Sequence, residues 1–270
     1  TSITAVNDAP TASGSPSLAA VAEDSTDPAG DTVANLFSAS FSDVDSDTLK
    51  AVAITANSAD SSNQGDWQYS TDDGSNWTAI PTSGLSDSTA LYLTDSTLIR
   101  FLPVSDFYGT PGDLTARLID SSYNPSPSLN DGADIDVAAN GGDTPFSATA
   151  LTLSTSITAV NDDPTGSLTI SGTPTEGQTL TADTSAINDV DGLTTFSYQW
   201  LRDGSAISGA TSSTYTLIQA DVDYPISVTA TYTDEGGTEE SLTSSPTADV
   251  VNVNDAPIAS GSPSLAAVTE

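Results

Sequence analysis

Hydrophobic and polar residues alternate along most of this chain in short runs, with a period of two residues. This alternation is typical of β-strands that bury one face. Gly, Pro, Asn and Asp separate the runs, as turns require, and no stretch has a convincing helical period. The pattern predicts an all-β protein with strands in LKAVAIT (49–55), DWQYST (66–71), NWTAI (76–80), ALYLT (90–94), LIRFLPV (98–104), LTARLID (114–120), PFSATALTLSTSITAV (145–160), GSLTISG (166–172), QTLTADTS (178–185), FSYQWLRDG (196–204), STYTL (213–217), ISVTATYTD (226–234) and EESLTSSPTADVV (239–251).

Internal repeats divide the chain. TSITAVNDAP at 1–10 recurs as TSITAVNDDP at 155–164, so one unit is 154 residues long. ASGSPSLAAV at 12–21 recurs at 259–268, an offset of 247 residues that leaves 93 residues for a second unit. Repeats of this kind stack along one dimension within a longer parent protein. We predict a linker from a preceding repeat at 1–10, a larger domain at 11–160, a linker at 161–164, a smaller domain at 165–253, and a linker with the start of the next repeat at 254–270.

Each predicted domain has one local signature. SYQWLRDG at 197–204 resembles strand C of immunoglobulin-like domains, which makes Trp200 a core residue and predicts a sandwich of about seven strands. STDDGSNW at 70–77 fits the Asp-box pattern S-x-D-x-G-x-x-W. In such a box Asp72 bonds the turn amides, Gly74 takes an unusual backbone angle and Trp77 packs beneath. Both signatures therefore indicate folding devices.

Charge and missing residue types narrow the function. Against 37 acidic residues the chain has only four Lys and Arg, for a formal net charge of −33, which makes binding to nucleic acid strongly repulsive. The chain has no Cys and no His, which excludes thiolate and histidine metal sites and His-dependent catalysis. No apolar run approaches the roughly 18 residues of a membrane span. Oxygen ligands remain, and these suit Ca²⁺.

Acidic residues recur in the same order in both units. Each unit has an early Glu, then an Asp-x-Asp, then an Asp that ends a late strand, and Asn-Asp linkers bound the units. This layout resembles the calcium pattern of cadherin repeats. The candidate ligands on that resemblance, with two substitutes in SDFYG and ADVDY, are Asn7, Asp8, Glu23, Asp43, Asp45, Asp106, Asp120, Asn161, Asp162, Glu176, Asp189, Asp191, Asp221, Asp223, Asp234, Asn252, Asn254, Asp255 and Glu270. The linkers depart from the family by reading NDAP or NDDP in place of NDNAP.

The resemblance extends to a wider family. EGQTL, DVDGL, YQWLRDG, STYTL, ISVTATYTD and VNVNDAP are similar to the cadherin-like and VCBS-type repeats of large RTX, type I-secreted bacterial adhesins. It implies tandem Ig-like or cadherin-like β-sandwich domains in an elongated array on a bacterial cell surface, anchored at the outer membrane. Their role there would be that of monomeric, calcium-rigidified spacers that project distal binding domains for cell adhesion or biofilm formation. The middle junction would draw Glu23 and Asp106, the linker residues Asn161 and Asp162, and Asp189, Asp191 and Asp234 around calcium. Neighbouring repeats of the same chain would be the partners.

Three alternatives remain open at this point. The carboxylates could serve only turns and solubility, because Asp and Asn are favoured there for their own reasons. Asp47 in DVDSD could be a third ligand or merely surface. The larger domain could bind surface glycans through Trp67, Tyr69, Trp77 and Tyr92. No pair of carboxylates stands out as a glycosidase centre, and no enzymatic activity is expected.

Overall fold

The structure is a computed structural model that describes residues 5–125, 128–254 and 256. The chain forms two compact units that divide between Val160 and Asn161. The regular secondary structure of both units is almost entirely β, with strands arranged in several sheets, which is the Ig-like β-sandwich class expected from the sequence. Among the described residues, no helix is long and apolar enough to span a membrane.

The described residues of unit 1 form thirteen strands and one short helix. They are β1 Thr11–Ala12, β2 Val21–Ala22, β3 Asp31–Thr32, α1 Val33–Phe37, a 3-10 turn at Ser38–Ser40, β4 Phe41–Ser42, β5 Leu49–Asn57, β6 Gly65–Ser70, β7 Thr78–Ala79, β8 Ala90–Thr94, β9 Leu98–Pro103, β10 Leu114–Asp120, β11 Asp134–Ile135, β12 Leu151–Leu153 and β13 Ile157–Thr158. A five-stranded sheet has the order β11-β8-β5-β10-β12, and a four-stranded sheet has the order β3-β9-β6-β7.

The central strand β5 of unit 1 is buried on both faces. Val52 and Ile54 point into the main core with Trp67 and Phe101, whose rings meet edge to face at 5.3 Å. The alternate positions are alanines, and these pack under a second cluster supplied by the segment after β10, with Tyr123, Ile135, Val137 and Phe146. Small side chains on the outer face of a strand leave room for a covering layer.

Unit 2 contains β14 to β20 and is a two-sheet sandwich. Its strands are β14 Thr169–Ser171, β15 Thr179–Asp183, β16 Ser197–Arg202, β17 Ser205–Ala206, β18 Thr214–Thr216, β19 Ile226–Thr233 and β20 Glu239–Thr243, with a 3-10 turn at Gln219–Asp221. The sheets have the orders β14-β15-β18 and β17-β16-β19-β20. Trp200 is fully buried in the core and its indole N–H donates to the Ser212 carbonyl at 2.9 Å, so the predicted core role of Trp200 is confirmed.

Two sequence predictions need correction. The helix α1 lacks a helical period because it has only five residues; Thr32 caps it by accepting a hydrogen bond from the Asn35 amide at 3.1 Å. The run at 145–160 is not one strand. Its first part, β12, pairs antiparallel with β10, whereas β13 pairs parallel with β2, so the run breaks where the chain changes partner sheet.

Candidate metal centre

The Asp-Val-Asp loop of unit 2 is held by its own carboxylates. The Asp191 amide donates to Asp189 Oδ1 at 2.9 Å, and the linker amide of Asp162 donates to Asp191 Oδ2 at 2.7 Å. Both loop carboxylates are buried, at 8% and 5% exposure. The linker therefore enters unit 2 directly against the Asp189–Asp191 loop.

Two further buried acids share this end of unit 2. Asp234, at the end of β19, accepts from the Thr238 amide at 2.7 Å through Oδ1, while its buried Oδ2 has no hydrogen-bond partner among the described residues. Glu240, on β20, accepts from the Asn161 side chain at 3.0 Å. We call Asp162, Asp189, Asp191, Asp234 and Glu240 the start cluster of unit 2.

Tyr232 reports how close these acids lie to one another. Its hydroxyl donates to Asp189 Oδ2, and the ring is 3% exposed. Burial first, then the hydrogen bond to Asp189, then the charges of Glu240 and Asp234 raise the pKa of the Tyr232 phenol above its usual range. Three carboxylates therefore act on one buried phenol.

Among the described residues, no basic side chain forms an ion pair with Asp189, Asp191, Asp234 or Glu240 of this cluster. Of the chain's four Lys and Arg, three form ion pairs elsewhere, Arg100 with Asp27, Arg117 with Asp87 and Arg202 with Asp221. The fourth, Lys50, lies in unit 1 and donates to the Tyr123 carbonyl. Buried carboxylates are costly without a counter-charge. Each carboxylate oxygen has lone pairs to spare, so the cluster fits a hard cation with oxygen ligands.

Unit 1 repeats this arrangement where the chain enters it. The Asp8 amide donates to Asp45 Oδ2 at 2.6 Å, and the Asp45 amide donates to Asp43 Oδ1 at 2.8 Å, as in unit 2. Asp120, which ends β10 as Asp234 ends β19, is fully buried. Buried Oδ2 atoms of Asp43 and Asp120 have no hydrogen-bond partner among the described residues. Asn7 also lies at this end and donates to the Thr144 carbonyl at 3.1 Å.

Asp47 adds a third carboxylate to this loop. Asp43, Asp45 and Asp47 each place a carboxylate oxygen within 4.8 Å of the others. The Ser121 hydroxyl donates to Asp47, and the Thr48 amide donates to Ser121 at 3.2 Å, which places the loop beside the end of β10. We call Asp43, Asp45, Asp47 and Asp120 the start cluster of unit 1.

The early glutamates lie at the opposite end of each unit and have matching contacts. The Glu23 amide donates to the Thr158 carbonyl at 3.0 Å, and its side chain accepts from the Val160 amide at 2.6 Å. Glu176 makes the same pair of bonds, to the Val251 carbonyl at 3.0 Å and from the Val253 amide at 3.2 Å. Each glutamate therefore fixes the residues immediately before an Asn-Asp linker.

Asp106 and Asp223 share this end of their own units. Both are exposed and have positive φ angles, 63° and 65°. The Asp106 amide donates to Asp24 Oδ1 at 3.2 Å, and the Asp223 amide donates to the Val250 carbonyl at 3.0 Å.

The remaining calcium ligands predicted from the sequence do not belong to the clusters described above. Asp221 is fully buried in the fold of unit 2, where it accepts from Arg202 at 2.7 Å, the Tyr215 hydroxyl at 2.9 Å and the Ile218 amide at 2.8 Å. These donors make it a structural residue, so we remove it from the ligand set. Asn252 accepts from the Gln219 side chain at 3.1 Å, and Asn254 is exposed. Asp255 and Glu270 lie outside the described residues.

Sequence reasoning missed Glu240 and Asp24. Glu240 follows a second Glu in a strand of alternating pattern, and only its burial distinguishes it from its exposed neighbour. Asp24, next to Glu23, has a φ of 59° and accepts from the amide of Asp106. The adjacent acidic pair was the only available signal for Asp24.

The aromatic residues of the glycan alternative do not form an exposed platform. Trp67 is fully buried and Tyr92 is 3% exposed, both in hydrophobic clusters. The Arg100 guanidinium covers the Trp77 ring at 4.0 Å from its centroid. The Asp box is formed as the pattern indicates: Asp72 accepts from Ser70 at 2.9 Å and from the Asn76 amide at 2.8 Å, and Gly74 has a φ of 83°.

No protein-family model and no curated protein matches the sequence. Among solved structures, the crystal structure of the CD2-binding domain of CD58, lymphocyte function-associated antigen 3, matches with 11% sequence identity and a TM-score of 0.20. The match covers 77% of this chain and 95% of that one.

Proposed function

We propose that the chain comprises calcium-rigidified spacer modules of a large bacterial surface adhesin, with no catalytic activity of its own. The support for calcium is the recurrence of one arrangement in both units: an Asp-x-Asp loop clasped by a linker amide, beside a buried strand-end Asp with an unpartnered oxygen. Asp and Asn serving turns alone would not require a buried carboxylate oxygen without a donor.

The support for a spacer is where these groups lie in the sequence. In both start clusters, a carboxylate accepts a hydrogen bond from an amide of the Asn-Asp linker that precedes the unit. Both early glutamates accept a hydrogen bond from a residue that precedes the next linker. Calcium needs six to eight oxygens, more than a single loop supplies. Ligands drawn together at linkers would restrict motion between modules, which is the property a spacer needs. The adhesin, the cell surface and the secretion route come from the sequence resemblance.

A calcium titration of the chain tests the proposal. A ligand that binds only the folded state stabilises it by RT ln(1 + [L]/Kd), and extracellular calcium sites have Kd values around 10⁻⁴–10⁻³ M. Millimolar calcium should therefore raise the melting temperature, and sodium at matched ionic strength should raise it far less. Equal stabilisation by the two salts would reduce the effect to charge screening and contradict a specific site.

A further inference from the structure

In the part of the chain that the structure describes, large exposed hydrophobic side chains lie towards the ends of the units. The large hydrophobic residues exposed in the described part of the chain are Val6, Val44, Tyr108, Val160, Val190, Leu193, Ile218, Tyr224, Val251 and Val253. One group of these residues precedes or lies beside a start cluster. The other group lies beside Glu23 or Glu176, or beside the chain segment to which that glutamate is hydrogen-bonded. Exposed apolar side chains scattered singly are normal, but their concentration at an end marks an interaction surface.

Four of these residues lie on segments of unit 2 that hydrogen bonds join, and we call them the finish patch: Ile218, Tyr224, Val251 and Val253. They are 50%, 45%, 60% and 46% exposed. The Val250 amide donates to the Tyr224 carbonyl at 3.1 Å, and the side chain of Gln219, the residue after Ile218, donates to the Asn252 side chain at 3.1 Å. The finish patch is thus a fixed surface of the fold.

The chain beyond the finish patch opens another repeat. Directly after Val253 the chain repeats NDAP, at 254–257, and then ASGSPSLAAV, at 259–268, which are the residues that open the larger unit. The end of the larger unit that adjoins such a linker carries Val44, which is 80% exposed between Asp43 and Asp45. An apolar surface on one repeat therefore precedes an apolar tip on the next.

We propose that the finish patch is the docking surface for the next copy of the larger unit, with the Val44 loop of that copy as the contacting element. The contact adds an attraction that needs no ion, since burial of apolar surface is favourable irrespective of charge. It goes beyond the calcium proposal: it rests on the order of the repeats and does not rest on metal binding.

An extended chain tests the proposal: residues 1–257 followed by a second copy of residues 11–160. Amide hydrogen exchange of residues 218–224 and 250–253 is compared between this chain and the 270-residue chain at saturating calcium. Docking should slow exchange in the extended chain by at least about fivefold, the lower bound of typical coupling between sites. The double variant Tyr224→Ser/Val251→Ser should lose this slowing and leave the exchange of the 270-residue chain unchanged.

The control is Leu193→Ser, an exposed apolar residue at the other end of unit 2, which should keep the slowing. Equal exchange in the two chains, or protection retained by the double variant, overturns the proposal. Concentration-dependent association of the 270-residue chain, abolished by the double variant, would also overturn it, because separate molecules would then be the partners. Slowing that persists in chelator, together with a failed calcium titration, would contradict the calcium proposal alone.

Discussion

At the scale of single residues, Asp234 provides the sharpest test of the proposed calcium site. It is 4% exposed, one of its oxygens has no donor among the described residues, and its charge acts on Tyr232 together with Asp189 and Glu240. The substitution Asp234→Asn keeps the side-chain shape but removes one charge. We expect weaker calcium binding and lower stability with calcium, because ligand charge sets affinity in such sites.

Without calcium the same substitution should raise stability, because one buried anion leaves a group of mutually repelling anions. A change in stability that is negative with calcium and positive without it distinguishes a calcium ligand from a residue that only stabilises the fold. Terbium luminescence excited through tyrosine provides the affinity, since Tyr232 donates to a start-cluster carboxylate. Asp183→Asn is the control: Asp183 is exposed and accepts from the Ser185 amide at 2.9 Å. Unchanged terbium affinity in Asp234→Asn would exclude Asp234 as a ligand.

Asp221 should behave in the opposite way. Asp221→Asn leaves Arg202 without its carboxylate partner in the fold of unit 2. We expect a loss of roughly 2–3 kcal/mol in the free energy of unfolding, below the range for a fully buried pair because Arg202 keeps some contact with water. Urea unfolding measures the loss, and it should be the same with and without calcium. A calcium-dependent loss would return Asp221 to the ligand set.

These residues show how much of the candidate site the sequence can predict. The repeated order of Glu, Asp-x-Asp and Asp located the residues that the structure brings to each end of a unit. It could not separate Asp221 from Asp223, two residues apart, because one side chain turns into the core and the other lies at an exposed position with positive φ. Nor could it find Glu240, whose role depends on burial by a distant part of the fold.

At the scale of elements, the Asp box should stabilise the β6–β7 hairpin in a pH-dependent way. Hydrogen bonds from the Asn76 side chain first, then from the Asn76 amide and Ser70, lower the pKa of Asp72. A carboxyl whose pKa falls on folding stabilises the fold above its unfolded pKa of about 3.9, and this contribution is lost as pH falls through the folded value. The protection of the amides of residues 70–78, measured as the exchange rate relative to the intrinsic rate at each pH, should therefore fall in acid.

Asp72→Ala should give low protection factors in this hairpin at all pH values, because the turn amides lose their acceptor. Asp73→Asn, at the neighbouring residue with a φ of 55°, should keep the wild-type pH profile, since Asn tolerates this backbone region. A wild-type profile in Asp72→Ala would show that the side chain does not hold the turn.

The strands themselves were largely predictable, for a physical reason. Alternation indicates burial of one face, as in β15, where buried Leu180 and Ala182 alternate with the exposed residues Thr179, Thr181 and Asp183. It fails where both faces are covered: Ala51 and Ala53 on β5 are as buried as Val52 and Ile54. Their covering layer comes from beyond β10, and no local pattern of β5 encodes it.

At the scale of the whole molecule, the net charge determines how strongly the carboxylates repel one another. A net charge of −33 with four basic residues leaves most carboxylates to repel one another. Exposed acids can relax into water and salt, whereas those of the start clusters are held together by the fold. Calcium should therefore act mainly at the start clusters, and it should act on the motion between units more than on either core.

The double variant Asp189→Ala/Asp191→Ala tests that consequence in unit 2. It removes both loop carboxylates, including the one that accepts the hydrogen bond from the Asp162 amide. We expect lower calcium affinity and, in small-angle scattering at millimolar calcium, the broad distribution of interunit distances typical of a flexible pair. Far-UV circular dichroism should stay at the wild-type level, because the core around Trp200 is untouched. Wild type in chelator should resemble the variant, since unneutralised carboxylates repel.

Asp183→Ala/Asp249→Ala provides the matched control. It removes the same charge from exposed positions of unit 2 and should scatter like wild type at every calcium concentration. If the Asp189/Asp191 variant scatters as wild type does at millimolar calcium, or if chelator leaves wild-type scattering unchanged, then these carboxylates do not restrict motion between the units. The spacer mechanism would then lose its central step, even if calcium still raised the melting temperature.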